Sequence, residues 1–148
     1  MINPPFKNLI RLQIEWGDCD PAGIVFYPNY FRMFNAATDA LFAAAGFEPA
    51  TAFTRFGIIG YPMIDTSAAF SSPNRFGDSI TILSFIARWG RSSFDVRHQL
   101  SNAAGESVQS SEKRVWATVD EAGRLQALPV PDEVRAALGA DHPEHLGC

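Results

Sequence analysis

Cysteines and long apolar runs are both scarce in this sequence of 148 residues. Only Cys19 and Cys148 are present, too few for a disulfide framework, which favours a reducing, cytoplasmic setting. No segment is long and apolar enough to span a membrane, and the opening residues MINPPFKNLI lack the apolar core of a signal peptide. The sequence therefore predicts a cytoplasmic protein that does not bind membranes.

An excess of positive charge is also missing. The net charge is -4 at pH 7, so a general attraction to nucleic acid or to an anionic membrane surface is not expected. Hydrophobic residues make up 47% and charged residues 19% of the chain, which is the balance of a globular protein rather than a disordered one. Because no internal repeat or linker is visible, we expect residues 1–148 to form a single domain.

Several familiar catalytic motifs are absent. The sequence contains no G-x-S-x-G, Walker A or G-x-G-x-x-G pattern. His98 lies on the apolar face of a predicted strand, where a hydrogen-bonded core histidine is expected. His142 and His145 lie in a polar C-terminal segment without further clustered ligands, so no metal site is predicted.

The spacing of apolar residues predicts one strand, one long helix and then four strands. Apolar and polar residues alternate over residues 9–16. After Pro28 the period becomes that of a helix, apolar around most of its circumference, which ends near Gly46. Turn residues separate the later strands, which are expected at residues 63–72, 79–89, 92–100 and 108–119. A short helix is expected at 132–138.

Short turns between strands imply an antiparallel sheet, and one sheet curved around a single enclosed helix satisfies both patterns. We therefore predict an α+β fold. The strand at 79–89 carries large apolar side chains on both faces, with Leu83, Phe85 and Trp89 opposed to Ile80, Ile82 and Ile86. One face can cover the helix, so we expect the other to be buried against another subunit.

The segment GDCDPAGIVFYPN, between the first strand and the helix, contains the candidate catalytic residue. Asp20 precedes a proline, which holds its backbone extended, and Gly23 permits a tight turn directly afterwards. The helix is expected to begin near Tyr27, and free N–H groups at a helix start stabilise developing negative charge. Such a pair suits an acyl-transfer hydrolase, as base or nucleophile and oxyanion hole. From the pattern alone, an Asx turn at Asp18 or Asp20 without any catalytic role is the alternative.

These residues also resemble a known family. The segments GDCDPAGIVFYPNYFR and GIIGYPMIDTSAAFSSPNRFGDSITI, with the helix between them, are similar to the hotdog-fold acyl-CoA thioesterases, in particular the 4-hydroxybenzoyl-CoA thioesterase family. The resemblance covers residues 9–119. It implies a hotdog fold, in which a curved antiparallel sheet wraps around one long central helix. It also implies hydrolysis of an acyl-CoA, with an aromatic acyl group of the benzoyl or hydroxybenzoyl type expected.

The resemblance further implies how the catalytic site is built. The carboxylate of Asp20 is the expected nucleophile or general base, and the backbone N–H of Tyr27 is the expected oxyanion donor. The family forms homodimers or homotetramers with the active site at the dimer interface. Gly60 and Tyr61 of one chain are therefore expected near Asp20 of another. Coenzyme A is part of the substrate, and no metal or prosthetic group is implied.

The phosphates of coenzyme A need cationic partners. The candidates lie in ARWGRSSF and are Arg88, Arg91, Ser92 and Ser93. The alternative is a hairpin turn with solvated arginines. This turn is less basic than in the family, because Gly90 and Ser92 replace charged residues.

Two departures from the family pattern concern the acyl group. Asn35 stands where the family has an acid, and Tyr61 stands where it has a small hydroxyl residue. A short aliphatic acyl-CoA is therefore an alternative substrate. Separately, an acyl carrier protein is the alternative to coenzyme A as the thiol carrier, and a basic surface around Arg88 and Arg91 would favour it because carrier proteins are acidic. A non-catalytic hotdog domain that binds acyl-CoA is the alternative from another class.

Overall fold

The computed structural model describes residues 3–141 and contains a five-stranded antiparallel sheet packed over one long helix. The strands of this sheet lie in the order β1-β3-β4-β5-β2 and are β1 (Asn8–Gln13), β2 (Met63–Phe70), β3 (Ser79–Trp89), β4 (Ser93–Asn102) and β5 (Gly105–Val115). A separate two-stranded ribbon consists of β6 (Ala117–Val119) and β7 (Leu125–Ala127). The helices are α1 (Pro28–Ala44), α2 (Pro49–Phe56) and α3 (Asp132–Leu138), with a single 3-10 turn at Trp16–Asp18.

The long helix α1 begins and ends where the sequence indicates. Tyr27 occupies the N-cap position, Pro28 lies in the first turn, and Gly46 follows the end of the helix with φ +102°, which glycine adopts without strain. The apolar face of α1 packs against β1, β3 and β4. The predicted α+β fold, a curved antiparallel sheet around one long helix, is therefore confirmed.

The core divides along α1 into two clusters. The first half of the helix, with Tyr30 and Phe34, packs against apolar residues of the sheet. The second half, with Phe42, joins Trp116 and residues of α2 and α3 in a largely aromatic cluster. Since α2 and α3 cover the C-terminal end of α1, its N-terminal end is the accessible one, and Tyr27 there is 61% exposed.

The expectation that Trp89 shares a face of β3 with Leu83 and Phe85 is wrong. The pairing of β3 with β4 shifts register between Ile86 and Arg88, where an extra residue bulges out of the ladder. The alternation therefore changes face, and Trp89 lies in the core at 2% exposure. β3 is also an inner strand, paired with β1 and β4, so the free edges of this sheet are those of β1 and β2.

Two elements depart from the predicted order. α2 was not predicted, although Pro49 at its start and Gly57 after its end, at φ +67°, are ordinary helix signals. The strand predicted at 108–119 is divided at Trp116, whose N–H donates to the carbonyl of Ser92 at 2.7 Å. Beyond that residue the chain pairs with β7 instead of continuing the large sheet. α3 has the predicted bounds.

No helix within residues 3–141 is long and apolar enough to cross a membrane. The cytoplasmic location stays a prediction, as does the extent of the single domain over the whole chain.

Candidate active site

Residues 19–25 form a small hairpin between the 3-10 turn and α1, which we call the Asp20 arm. Cys19 and Val25 bridge its ends, and the N–H of Asp20 donates to the carbonyl of Ile24 at 3.0 Å. The N–H of Gly23 donates to the carbonyl of Asp20 at 2.9 Å, which closes the turn. Gly23 has φ +81°, in the left-handed region that favours glycine. The main chain of the arm is thus fixed, with Asp20 near its tip.

One oxygen of the Asp20 carboxylate accepts a hydrogen bond from the described part of the chain, and the other does not. Oδ1 accepts a hydrogen bond from the N–H of Ala22 at 2.8 Å, which is the Asx turn considered from the sequence. Oδ2 has no hydrogen-bond or ion-pair partner among residues 3–141. The Asx turn therefore exists, but it occupies one oxygen, orients the carboxylate and leaves the second oxygen to a ligand.

Asp18, two residues earlier, is fully engaged. It is 8% exposed, its Oδ1 accepts from Arg32 of α1 at 2.6 Å, and its Oδ2 accepts from the N–H of Glu15 at 2.8 Å. Its main-chain carbonyl accepts from the N–H of Phe26 and from the side chain of Asn29, both at 2.9 Å. Asp18 therefore ties the Asp20 arm to α1 and has no carboxylate oxygen left for chemistry.

The N-terminus of α1 lies at the end of the same loop. Tyr27 is its N-cap residue, and the Tyr27 side chain makes no capping hydrogen bond within residues 3–141. Within the described part of the chain, the backbone N–H of Tyr27 has no acceptor. Unpaired N–H groups at a helix start carry partial positive charge and stabilise an oxyanion. The predicted helix start is confirmed, and the role of Tyr27 as oxyanion donor stays a prediction.

Gly60 and Tyr61 lie in the segment between α2 and β2. Gly60 has φ +145° and pairs with Ala117 through its main chain. The ring of Tyr61 stacks on that of Phe42, with 4.7 Å between the centroids, and Tyr61 is 5% exposed. Burial raises the pKa of the Tyr61 hydroxyl, which therefore stays neutral. The Tyr61 side chain thus belongs to the core of its own chain, and the contribution of this segment to substrate binding stays a prediction.

The turn between β3 and β4 contains the candidate phosphate-binding residues. Arg88 pairs with Asp95 at 3.1 Å, and Asp95 also pairs with Lys113 at 3.0 Å, so an ion pair already holds Arg88. Arg91 is exposed, and no carboxylate among residues 3–141 pairs with it. Ser93 begins β4 and is half-buried. Arg91 is therefore the arginine of this turn that is available to an anionic ligand.

Hydrogen bonds from the body of the protein fix the main chain of this turn. The carbonyls of Gly90 and Arg91 accept from Nη2 of Arg135 in α3, at 2.6 and 2.8 Å. The carbonyl of Ser92, which is half-buried, accepts from the N–H of Trp116 at 2.7 Å. Because these three consecutive carbonyls point into the protein, none of them repels an anion at the surface.

A polar cluster lies under α1, and the sequence predicted only one of its members. Oγ of Ser84 is 2.7 Å from Nδ1 of His98, and Nε2 of His98 is 3.3 Å from Oε2 of Glu112. Oγ1 of Thr38 donates to Oε1 of Glu112 at 2.7 Å. We call these four residues, each at most 2% exposed, together with Arg114 the buried cluster. The order of serine, histidine and carboxylate is that of a catalytic triad, but a substrate cannot reach groups so deeply buried.

Arg114 connects the buried cluster to its surroundings. It donates to Oε1 of Glu112 at 2.8 Å, to the carbonyl of Tyr61 at 3.1 Å and to Oδ1 of Asn35 at 2.9 Å. Burial by itself raises the pKa of Glu112, but hydrogen bonds from His98 and Arg114 outweigh it and hold the pKa below its usual value. The prediction that His98 is a hydrogen-bonded core residue is confirmed. β5 offers a sequence signal for two further members, since Glu112 and Arg114 alternate with less buried positions.

The structure offers no cluster of three or more metal-ligating side chains within residues 3–141. His142 and His145, the pair considered from the sequence, lie outside the described residues. The absence of a metal or other cofactor stays a prediction.

Comparison with known proteins identifies relatives over most of the chain. The family model of the thioesterase-like superfamily matches residues 14–138. The chain is 40% identical to 4-hydroxybenzoyl-CoA thioesterase of Pseudomonas sp. (strain CBS-3), with 82% of this chain and 90% of that protein covered. It is 25% identical to 1,4-dihydroxy-2-naphthoyl-CoA hydrolase of Thermosynechococcus vestitus, with 93% of this chain and 92% of that protein covered.

Solved structures point to the same relatives. The structure of the Pseudomonas enzyme matches with a TM-score of 0.83 and 36% identity, covering 88% of this chain and 98% of that one. A gentisyl-coenzyme A thioesterase matches with a TM-score of 0.76 and 29% identity, covering 88% of this chain and 98% of that one. The matched residues 14–138 include both the Asp20 arm and the turn between β3 and β4.

Proposed function

This chain belongs to the thioesterase-like superfamily and is an acyl-CoA thioesterase, and we propose that it hydrolyses an aromatic acyl-CoA with Asp20 as the catalytic carboxylate. The acyl group that we propose is of the benzoyl or hydroxybenzoyl type. The products are the free carboxylic acid and coenzyme A, so coenzyme A is part of the substrate. The proposal requires no metal or prosthetic group.

The observation that carries the proposal is two unpaired groups in the same segment, one on the Asp20 arm and one at the N-terminus of α1, to which the arm leads. Oδ2 of Asp20 and the backbone N–H of Tyr27 both lack partners within residues 3–141. One is a base or nucleophile and the other is a hydrogen-bond donor, as cleavage of a thioester needs. The neighbouring Asp18, whose two oxygens are both occupied, cannot take the same role.

In the proposed reaction the N–H of Tyr27 donates a hydrogen bond to the thioester carbonyl oxygen, where negative charge develops. Oδ2 of Asp20 either attacks the carbonyl carbon or removes a proton from the water molecule that attacks it. The carbon–sulfur bond then breaks, and the coenzyme A thiolate leaves. If Asp20 attacks, the acyl group forms a mixed anhydride with it, which water hydrolyses. Label that enters the Asp20 carboxylate during a single turnover in oxygen-18 water would identify the anhydride route.

The names of the relatives support an aromatic acyl group. Those proteins act on 4-hydroxybenzoyl, 1,4-dihydroxy-2-naphthoyl and gentisyl thioesters of coenzyme A by their names, and all three acyl groups are hydroxylated aromatics. In this chain Arg114 holds Oδ1 of Asn35, so the amide NH₂ is the part of that side chain left to a ligand. We therefore propose the aromatic class without the para-hydroxyl specificity.

The test of the proposed substrate is thiol release from benzoyl-, 4-hydroxybenzoyl-, phenylacetyl- and short-chain aliphatic CoA thioesters. We expect the highest kcat/KM with a benzoyl-type substrate. A preference for the short-chain thioester would assign an aliphatic acyl group to the substrate instead of an aromatic one. Faster cleavage of an acyl carrier protein thioester would assign that protein as the thiol carrier instead of coenzyme A. Binding without turnover on the whole panel would support the non-catalytic alternative.

We propose that Arg91, with the hydroxyls of Ser92 and Ser93, binds the phosphates of coenzyme A. Support comes from the turn between β3 and β4, where Arg91 is exposed and the carbonyls point inwards. Arg88 contributes less, since Asp95 already pairs with it.

We propose a homodimer joined along β2, with the active site at its interface. All but one of the eight residues of β2 are exposed, and Met63, Ile64 and Phe70 are 40%, 58% and 49% exposed. An unpaired, partly apolar edge strand in an isolated chain would pair with other copies. In this dimer Gly60 and Tyr61 of one chain lie near Asp20 of the other, and two dimers form a tetramer. Sedimentation at micromolar concentration tests the assembly, and a stable, fully active monomer would contradict it.

A further inference from the structure

Asn74, in the loop between β2 and β3, lies at the centre of a second buried hydrogen-bond network and is 0% exposed. Its Nδ2 donates to the hydroxyls of Tyr30 and Ser107, both at 2.9 Å, and its Oδ1 accepts from Nδ2 of Asn102 at 2.8 Å. Its main-chain carbonyl accepts from the N–H of Val25 at 2.9 Å. Both amide hydrogens and the amide oxygen of Asn74 are thus engaged, so the side chain is held in one orientation.

Two of these bonds reach the two parts of the proposed active site. Val25 is the last residue of the Asp20 arm. Tyr30 lies in the first turn of α1, and its N–H donates to the carbonyl of Tyr27 at 3.1 Å. Asn74 therefore stands between the arm that presents the carboxylate and the helix end that presents the oxyanion donor. Asn102 of β4 and Ser107 of β5 anchor the Asn74 side chain to the sheet.

We propose that Asn74 is a positioning residue, which holds the Asp20 arm and the first turn of α1 at the separation that thioester hydrolysis needs. The inference rests on the proposed function, because that function makes this separation matter. Burial raises the pKa of the Tyr30 hydroxyl, so this partner of Asn74 stays neutral across the working pH range. A misplacement of about 1 Å between reacting groups costs on the order of 100-fold in rate.

The primary test removes the link to α1 and leaves everything else in place. Tyr30→Phe deletes one hydroxyl, keeps the ring and breaks one hydrogen bond of Asn74. We expect kcat to fall on the order of tenfold with KM changed by less than about twofold, because the catalytic groups move while the coenzyme A contacts do not. Asn74→Ala removes the three side-chain hydrogen bonds and keeps the main-chain bond to Val25, and it is expected to lower kcat on the order of 100-fold. If that variant does not fold, Tyr30→Phe decides the matter.

Ser84→Ala is the matched control. It deletes another deeply buried hydroxyl, hydrogen-bonded to His98 in the buried cluster and not to the Asp20 arm. We expect it to lower the midpoint of urea denaturation and to leave kcat per folded molecule unchanged. The inference would be overturned if Tyr30→Phe behaved in the same way, with reduced stability and the wild-type kcat.

Tyr30→Phe in an Asp20→Asn background separates this inference from the proposed function. If Asn74 acts by placing the Asp20 carboxylate, Tyr30→Phe costs much less in that background than in the wild type, since residues that act as a unit are not additive. An equal fold-loss in both backgrounds would overturn the positioning role while leaving the proposed function intact. Wild-type turnover by Asp20→Asn alone would contradict the proposed function itself.

Discussion

Two polar regions of this molecule contain the residue types of an active site, and they differ in whether their hydrogen-bonding groups are already engaged. In the buried cluster, serine, histidine, glutamate and arginine side chains satisfy one another, each at most 5% exposed. At the Asp20 arm, one carboxylate oxygen and the N–H of Tyr27 have no partner among residues 3–141. Residue types alone would identify the buried cluster as catalytic, whereas the unpaired groups identify the Asp20 arm.

The contrast has a physical cause. An ionised side chain is stable in the core only when neighbouring groups form hydrogen bonds or ion pairs with it. The side chains of the buried cluster therefore stabilise the fold and are not available to a substrate. A group that meets a substrate needs an unpaired lone pair or hydrogen and a path from solvent. Asp18 and Asp20 repeat this contrast within three residues, since Arg32 and Glu15 occupy both oxygens of Asp18.

The largest expected effect comes from breaking the buried cluster. Glu112→Gln leaves the Arg114 charge uncompensated in the core, and the free energy of unfolding is expected to fall by about 3–5 kcal/mol. Urea denaturation measures the change. Turnover per folded molecule is expected to stay close to that of the wild type. A stable Glu112→Gln variant that has lost activity would indicate that the buried cluster, and not the Asp20 arm, is catalytic.

The next effect comes from changing the Asp20 arm. Asp20→Asn keeps the Asx turn with Ala22 and removes the basic oxygen, so kcat is expected to fall at least ~100-fold while the denaturation midpoint is unchanged. Asp18→Asn is the matched control at the neighbouring position. It is expected to lower stability and to reduce kcat less, because both carboxylate oxygens of Asp18 are engaged within the fold. Equal kcat losses at the two positions would remove the distinction between them.

How well a structural feature can be predicted from the sequence depends on whether the interactions that set it are local or join distant segments. α1, β3 and α3 were predicted closely, because periodicity and turn residues are local signals. The bulge that moves Trp89 into the core is set by the pairing of β3 with β4, which no local pattern reveals.

The candidate site shows the same limit. Asp20 and Tyr27 belong to one local motif, and the resemblance to a known family singled them out. That Asp18 is bound by Arg32, and that Thr38 meets Glu112 under the helix, follows from packing between distant segments. The sequence therefore identified the available groups more readily than the groups that hold them.

A smaller effect is expected at the turn between β3 and β4, where an available and an engaged cation lie close together. Arg91→Ala is expected to raise KM for the acyl-CoA several-fold at low salt with little change in kcat, because the phosphates are bound alike in ground and transition states. The effect should weaken as salt increases. Arg88→Ala should change KM less, since Asp95 already pairs with Arg88. An unchanged KM for Arg91→Ala at low salt would exclude this turn from the site.

The smallest expected effect is a dependence on acid pH. The pKa of Glu112 is held below its ordinary value of 4.5, so its stabilising contribution is complete above that value and is lost as the pH falls through the lower, folded-state pKa. Burial raises the pKa of Asp39, which has the opposite sign. The difference in unfolding free energy between the wild type and Glu112→Gln removes most of the Asp39 contribution, because burial is the largest cause of the Asp39 shift and the charge of Glu112 a smaller one. It should shrink as the pH falls below 4.5, and a difference independent of pH would contradict the assignment.

The most direct test of the central claim is kcat per folded molecule for Asp20→Asn and His98→Gln, measured side by side on the aromatic CoA thioester that the wild type cleaves fastest. Catalysis at the Asp20 arm predicts that Asp20→Asn loses at least ~100-fold while His98→Gln, although less stable, stays within about threefold of the wild type. The reverse order, an active Asp20→Asn beside a folded but inactive His98→Gln, would contradict the account.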